Sequence, residues 1–240
     1  MQRFSPFLFL AASLLTACAL GVSPKSEKRT NATLDASSIT NLQINSSSGN
    51  VTIAAAAAGN ANVAFTKTTP DLGVSEGACT SDQHIDGTTL VVTVTHDKLA
   101  NCIIDTQITI PAATTIDASL DDGSIKITDV TGVVSAHTGD GYIDASLASP
   151  GGESPTLNDS FDTSDGNIQV QVNFAPSSGN ISLKTKNGGI KLELPVVTKF
   201  AVDESHQNGT FTNDLTAIPG APFDVTMTSQ DGNLTIAANQ

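Results

Sequence analysis

Asp122-Gly123-Ser124-Ile125-Lys126-Ile127 decides the fold. A small polar residue before Gly marks a turn, because Gly takes positive φ without a Cβ clash and the polar side chain bonds the local backbone. The alternation that follows is a half-buried strand of period two, with Ile125 and Ile127 facing inward and Lys126 outward. A unit this short buries almost nothing alone, so it must stack on others.

The same pattern recurs along the chain. It returns as Ser48-Gly49-Asn50-Val51-Thr52-Ile53, Asp165-Gly166-Asn167-Ile168-Gln169-Val170 and Ser178-Gly179-Asn180-Ile181-Ser182-Leu183. Asn187-Gly188-Gly189-Ile190-Lys191-Leu192 and Asp231-Gly232-Asn233-Leu234-Thr235-Ile236 complete the clear copies, and weaker ones begin at Asp140-Gly141-Tyr142-Ile143 and Asn208-Gly209-Thr210-Phe211. With 19 glycines, chance placement yields only about one such apolar pair, so the repeat is real.

From Gly123 onward the marker glycines lie 18, 25, 13, 9, 21 and 23 residues apart. The longer intervals fit coils of about 18–25 residues, and the expected fold is all-β: an irregular β-solenoid, right-handed and β-helix-like, built of turn-strand repeats. The short intervals around Gly179 suit hairpins, which keeps a β-sandwich or meander as the alternative. Asn50, Asn167, Asn180 and Asn233, each directly after a marker Gly, suggest an asparagine ladder between coils.

Between Gly59 and Pro111 the pattern changes. Leu90-Val91-Val92-Thr93-Val94 and Ile103 to Pro111 are stronger strands, joined by Thr95 to Cys102, and read as a hairpin preceded by a long loop. Pro111 ends the second strand because it offers no N–H to a ladder.

The N-terminus speaks to compartment. Residues 1–17, MQRFSPFLFLAASLLTA, carry one basic residue, Arg3, and an apolar run from Phe7 to Leu15. That run is shorter than the roughly 20 apolar residues needed to cross a bilayer, so it reads as a secretory signal. Leu15-Thr16-Ala17-Cys18 resembles the lipobox of bacterial lipoprotein signal peptides, which implies cleavage before Cys18 and a diacylglycerol on its thiol, with palmitate among the acyl chains. Two acyl chains are enough for stable anchoring without a transmembrane helix. By the same resemblance, Ala19 after the lipidated Cys favours the outer membrane over the inner. Residues 18–38, polar and without period, read as a flexible tether, and residues 39–240 as the β-strand repeat domain.

Of three cysteines, Cys18 is assigned to the lipid, leaving Cys79 and Cys102 as a pair in an oxidising compartment, the usual setting for a disulfide. The alternatives, a reactive thiol pair or a metal site formed with His84 and His96, lack any CxxC spacing.

The chain carries 11 basic and 24 acidic residues, a net charge of -13. Such a balance excludes a nucleic-acid binder, which needs clustered Lys and Arg to displace counterions. Catalytic signatures are thin: there is no Gly-x-Ser-x-Gly elbow, no His-Glu-x-x-His and no phosphate-cradling loop. His84, His96, His137 and His206 are scattered in polar surroundings and read as solvated. Asp121, Asp122, Asp140, Asp144, Asp162 and Asp165 fall at or near turns, and stacking would bring Asp122, Asp140 and Asp165 into one column. Such a column suits turn structure first. Calcium binding, which takes six to eight oxygens, and acid-base catalysis rank below it.

The Ile-x-Ile-Pro strand end at Ile108 to Pro111, the stretch from Asp122 to Val134, the segment from His137 to Asp144, and Leu192-Glu193-Leu194-Pro195 together resemble the bacterial putative adhesin family of envelope proteins. The resemblance spans roughly residues 39–240. It implies an extracytoplasmic all-β domain with no catalytic residues, and brings no functional site with it.

The expected protein is therefore a lipid-anchored, non-enzymatic envelope protein for adhesion or for binding envelope components, with no cofactor and no metal. Its partners are the membrane, through Cys18, and a surface glycan or envelope protein. The alternatives are a carbohydrate-active β-helix enzyme, which scarce aromatics and the absence of Trp disfavour, and a structural or regulatory domain that takes a partner at a strand edge.

Overall fold

The structure is a computed structural model that describes residues 25–30, 34–35, 38–56, 60–69, 79–96 and 102–239. Residues 1–24, which hold the signal segment and Cys18, lie outside the described residues.

The described residues form strands β1 (Lys25–Thr30), β2 (Leu34–Asp35), β3 (Asn41–Ser46), β4 (Val51–Ala56), β5 (Asn60–Thr69), β6 (Cys79–Asp86) and β7 (Thr89–His96). There follow β8 (Ile103–Pro111), β9 (Thr115–Asp122), β10 (Ile125–Val130), β11 (Val134–Asp140), β12 (Ile143–Leu147), β13 (Thr156–Asp165) and β14 (Ile168–Val172). The last are β15 (Ser178–Asn187), β16 (Ile190–Pro195), β17 (Ala201–Asn208), β18 (Phe211–Asn213), β19 (Phe223–Asp231) and β20 (Leu234–Asn239).

They assemble into two sheets. One, of 11 strands, runs β1-β5-β8-β4-β10-β12-β14-β16-β20-β18 with β2 beside β5; the other, of 9, runs β17-β19-β15-β13-β11-β9-β3-β7-β6. From β9 onward the chain alternates between them, and every ladder there is parallel. One coil is thus a strand of the nine-stranded sheet, a glycine turn, a strand of the eleven-stranded sheet and a return connection. Among the described residues the antiparallel pairs are β1–β5, β2–β5, β5–β8 and β6–β7, within or before the region where the sequence pattern changes.

Period-two burial builds the core. In β9, Ile116, Ala118 and Leu120 are buried while Thr115, Asp117 and Ser119 face out, and β10, β13 and β19 alternate in the same way. The buried faces of both sheets meet in one hydrophobic cluster with Phe161, Phe200 and Phe223 fully enclosed. Each buried Ile, Leu or Phe adds roughly 1.5–3 kcal/mol before entropy is counted, and that burial holds the two sheets together. In β10 the register shifts between Thr128 and Val130, where Asp129 takes φ 58°, a bulge that returns Val130 to the interior.

Coil order in space departs from chain order twice. The β19–β20 coil sits between β15–β16 and β17–β18, and the β3–β4 coil sits between β7–β8 and β9–β10. Side chains explain the first case. The inward positions of β19–β20 hold Phe223, Val225, Met227, Leu234 and Ile236, all buried, whereas β17 offers Val202, Glu204 and His206, which suit an outermost coil.

Several sequence expectations need correction. Leu90–Val94 and Ile103–Pro111 do not form a hairpin: β7 and β8 lie in different sheets, because β7 pairs in parallel with β3 and β8 in parallel with β4. The expected long loop instead contributes β5, antiparallel to β8, and β6, which forms the real hairpin with β7 around Gly87. Gly179 is not a marker glycine but lies inside β15, and Asn180 pairs with Asn158 and Asp224 along the sheet rather than joining a turn ladder. Without Gly179 the intervals from Gly123 are 18, 25, 22, 21 and 23 residues, and the hairpin signal disappears. The two facing sheets remain compatible with a sandwich. Part of the stretch read as tether, residues 25–30 and 34–35, is laid against β5 as β1 and β2.

Cys79, at the start of β6, and Cys102, just before β8, are joined in a disulfide with Cα atoms 6.2 Å apart. Both are buried, and the bond ties the hairpin of one sheet to a strand of the other.

Candidate functional site

The glycine turns form one edge of the molecule. Between β9 and β10, β11 and β12, β13 and β14, β15 and β16, β17 and β18, and β19 and β20, the connection is always two residues, a Gly and one more. The turns stack in register through main-chain bonds. The N–H groups of Gly123, Gly141, Gly166 and Gly188 donate to the carbonyls of Asp140, Asp165, Asn187 and Asp231 at 2.8, 2.9, 2.9 and 2.7 Å. The stacking leaves no room for a side chain: a Cβ on Gly166 would lie 1.8 Å from the carbonyl oxygen of Gly141, at φ +155°.

Two side-chain ladders reinforce this edge. Thr138, Thr163, Thr185 and Ser229, each three residues before a marker Gly, point inward, and their hydroxyls donate to the carbonyls of Gly123, Gly141, Gly166 and Gly188 at 2.7, 3.0, 3.0 and 3.0 Å. This ladder was missed in the sequence, although the hydroxyl at a fixed offset from Gly was there to be read. The second is made by asparagines but is not the expected stack of amide on amide, because no two of these asparagines occupy adjacent turns. Asn50, Asn167 and Asn233 accept backbone N–H groups of Ser124, Gly189 and Thr210 in neighbouring coils at 3.1, 2.7 and 3.0 Å.

The carboxylate column forms as read. Asp122, Asp140 and Asp165 occupy one register row, continued by Asn187, Asp231 and Asn208. Asn187 donates to Asp165, and Asn208 to Asp231. At the all-acid end, reduced solvation and the like charges of Asp165 and Asp122 raise the pKa of Asp140 above the ordinary carboxylate value. Among the described residues no group of three His, Cys, Asp or Glu is placed to hold a metal ion. The other named aspartates lie apart: Asp121 is exposed beside Asp122, and Asp144 pairs with Lys126 at 3.3 Å on the outer face of the eleven-stranded sheet.

The outer face of the nine-stranded sheet carries an open concavity of about 470 Å³, across β11, β13, β15, β19 and β17. Its polar lining includes His137, Asp162, Lys184, Lys186, Gln207 and Gln230. Asp162 sits between His137 at 3.9 Å and Lys184 at 4.0 Å, while Lys186 forms no ion pair among the described residues. Hydroxyls from Ser164, Ser205 and Thr228 stand among them. Neighbouring strands are about 4.8 Å apart, so these groups stand in rows at that pitch.

The histidines remain scattered. His84 pairs with exposed Asp82 at 3.1 Å, His96 bonds Ser47 at 2.9 Å, and His206 bonds Glu204 at 2.8 Å. His96 and His206 are half-buried, departures from the solvated reading, His96 because it packs on Ser47 and His206 because it closes the inward face of the outermost coil.

No family model matches the chain, and no curated protein matches it. Among solved structures, it is similar to a putative cell adhesion protein from Clostridium sporogenes, with 11% identity over 90% of this chain and 100% of that one, TM-score 0.44. A putative adhesin from Bacteroides fragilis shares 14% identity over 90% of this chain and 98% of its own, TM-score 0.46, and one from Parabacteroides distasonis 10%, over 90% and 98%, TM-score 0.25. The resemblance read from the sequence is to proteins described in the same terms.

Proposed function

We propose that this is a lipid-anchored protein of the bacterial cell envelope whose β-strand domain is a non-catalytic binding scaffold. In the finer reading, Cys18 carries the lipid, the outer membrane is the site, and the coils form an irregular β-solenoid. The bound component is a surface glycan or another envelope molecule presented with polar groups.

The observation that carries this reading is the polar concavity on the nine-stranded sheet. Its floor is a parallel ladder, its lining is hydroxyl, amide and charge, and among the described residues Lys186 has no ion-pair partner to give up. On the outer face of the other sheet two lysines are already engaged, Lys126 with Asp144 and Lys191 with Glu193. A preformed polar surface binds without reordering its backbone, which lowers the entropic cost of association. Asp162 is the sole carboxylate among the residues lining the concavity, whereas glycoside hydrolysis calls for two. This supports the binding reading over the enzymatic one.

Two experiments test it. Replacing Cys18 with Ala should move the protein from the membrane fraction to the soluble fraction, and retention in the membrane would defeat the anchor. Fractionated envelope glycans and envelope proteins should be captured by the wild-type chain, and Lys184→Ala/Lys186→Ala should weaken capture about tenfold or more, the scale of one lost charged contact. Unchanged capture would move the binding surface elsewhere.

A further inference from the structure

A second feature lies on the other edge, among the return connections. Asp159, in β13, sits at an inward position where the neighbouring strands carry Val134 and Ile181, and is only 3% exposed. One carboxylate oxygen accepts the N–H of Val134 at 2.8 Å. The other, Oδ2, is buried and has no hydrogen-bond partner. Asp159 lines a cavity of about 30 Å³, walled by the turn Thr131-Gly132-Val133, by Leu147, Ala148 and Pro150, and by Leu157 and Phe174. No other ionisable side chain lines it.

We propose that this cavity is a binding site for one small monovalent cation of sodium or potassium size, held on Oδ2 of Asp159. Three arguments converge. An ionised carboxylate beside Val130, Leu147, Leu157 and Phe174 is costly unless a positive charge or a donor meets its free oxygen. The volume admits only one or two water-sized guests, since a water needs roughly 10–15 Å³ by the same measure, so a small ion enters and a bulky one does not. A lone carboxylate supplies one negative charge, which a singly charged ion neutralises, whereas calcium would leave a net positive charge buried there.

A proton competes for the same oxygen. Burial raises the pKa of Asp159 to about 6, against a smaller opposing effect of the Val134 N–H. Below that pH the site holds hydrogen, and above it the cation. A ligand that binds the folded state alone raises the folding equilibrium constant by the factor 1 + [L]/Kd, so above the Kd each tenfold increase in cation raises it nearly tenfold.

The test is chemical denaturation of the mature chain at constant ionic strength, with sodium or potassium chloride replacing tetramethylammonium chloride, whose cation is too large for the cavity. At pH 7.5 the wild type should gain stability with small cation, approaching tenfold in the folding constant per decade, and at pH 4.5 it should gain none. Asp159→Asn should respond at neither pH. In wild-type chain with ¹³C-labelled aspartate, the Asp159 carboxyl resonance should shift on adding sodium or potassium at pH 7.5, a readout that needs no variant. Equal responses to tetramethylammonium and small cations, an equal response in Asp159→Asn, or an unmoved carboxyl resonance would overturn the proposal and leave a water or a proton as the guest.

Discussion

The two edges of the coil stack follow opposite rules. At the glycine edge every connection from β9 onward is two residues long, whereas the return connections span residues 112–114, 131–133, 148–155, 173–177, 196–200 and 214–222. All variation in coil length therefore accumulates on one side. The stacked side has its glycine N–H groups, its inward hydroxyls and most of its asparagines bonded to the next coil. The return side carries buried hydroxyls without partners, at Thr114 and Thr198, and the orphaned oxygen of Asp159, whereas the unpartnered hydroxyls near the glycine side, Ser48 and Thr106, lie before β9. Register is set where groups are satisfied and spacing is constant. The other edge is free to accept insertions and unpaired polar groups.

Glycine substitution should break this contrast most sharply. Gly166→Ala places a Cβ against the Gly141 carbonyl at positive φ, and should cost more than about 3 kcal/mol by combined overpacking and backbone strain. Gly151→Ala, in the 148–155 connection, meets nothing within 4 Å at φ +84° and should cost only about 1–2 kcal/mol. Urea denaturation midpoints of the two variants would measure the difference, and similar losses would mean that the glycine column does not bear the packing.

A buried carboxylate gives the next effect, with the opposite sign. Because the folded-state pKa of Asp159 is raised to about 6 from 3.8, its contribution to stability is most favourable below the lower value and is lost as pH rises through the upper one. Asp159→Asn keeps an oxygen for the Val134 N–H and removes the charge. In tetramethylammonium buffer at pH 7.5 it should stabilise the domain by about 1–3 kcal/mol, and the gain should fade between pH 6 and pH 4. Thermal melts across that range would show it, and a destabilised variant at pH 7.5 would mean that the ion is well compensated as it stands.

Hydroxyl deletions sharpen the comparison at smaller scale. Thr163→Val removes the bond to the Gly141 carbonyl and should cost about 1–2 kcal/mol. Thr114→Val removes a buried hydroxyl that has no partner and should be neutral or stabilising by up to about 1 kcal/mol. Equal losses at the two sites would erase the distinction between the edges.

The glycine edge was largely legible in the sequence and the return edge was not. Asp-Gly and Asn-Gly announce a turn through local chemistry, and the alternation after it announces the buried face, so the column of Asp122, Asp140 and Asp165 could be placed before the fold was seen. Gly179 misled because Ser-Gly-Asn has the same composition as a turn, although the space beside the Leu157 carbonyl, not a turn, is what requires a glycine there. The failed hairpin of β7 and β8 has another cause: two strong strands adjacent in sequence invite local pairing, yet each finds a parallel partner in β3 or β4, far away in the chain. Asp159 was invisible because a lone aspartate in a Ser/Asp/Thr-rich strand gives no sign of which face it takes. Only the burial of Leu157 and Phe161 on either side fixes it inward.

The proposed binding face also rests on a contrast between two surfaces, and lysine reactivity reads it directly. Lys184 and Lys186 line the concavity, while Lys126 and Lys191 stand on the outer face of the other sheet, and all four can be acetylated competitively with and without captured envelope component. Lys184 and Lys186 should lose reactivity in the bound state while Lys126 and Lys191 keep theirs. Protection of Lys126 and Lys191, with Lys184 and Lys186 unchanged, would contradict it.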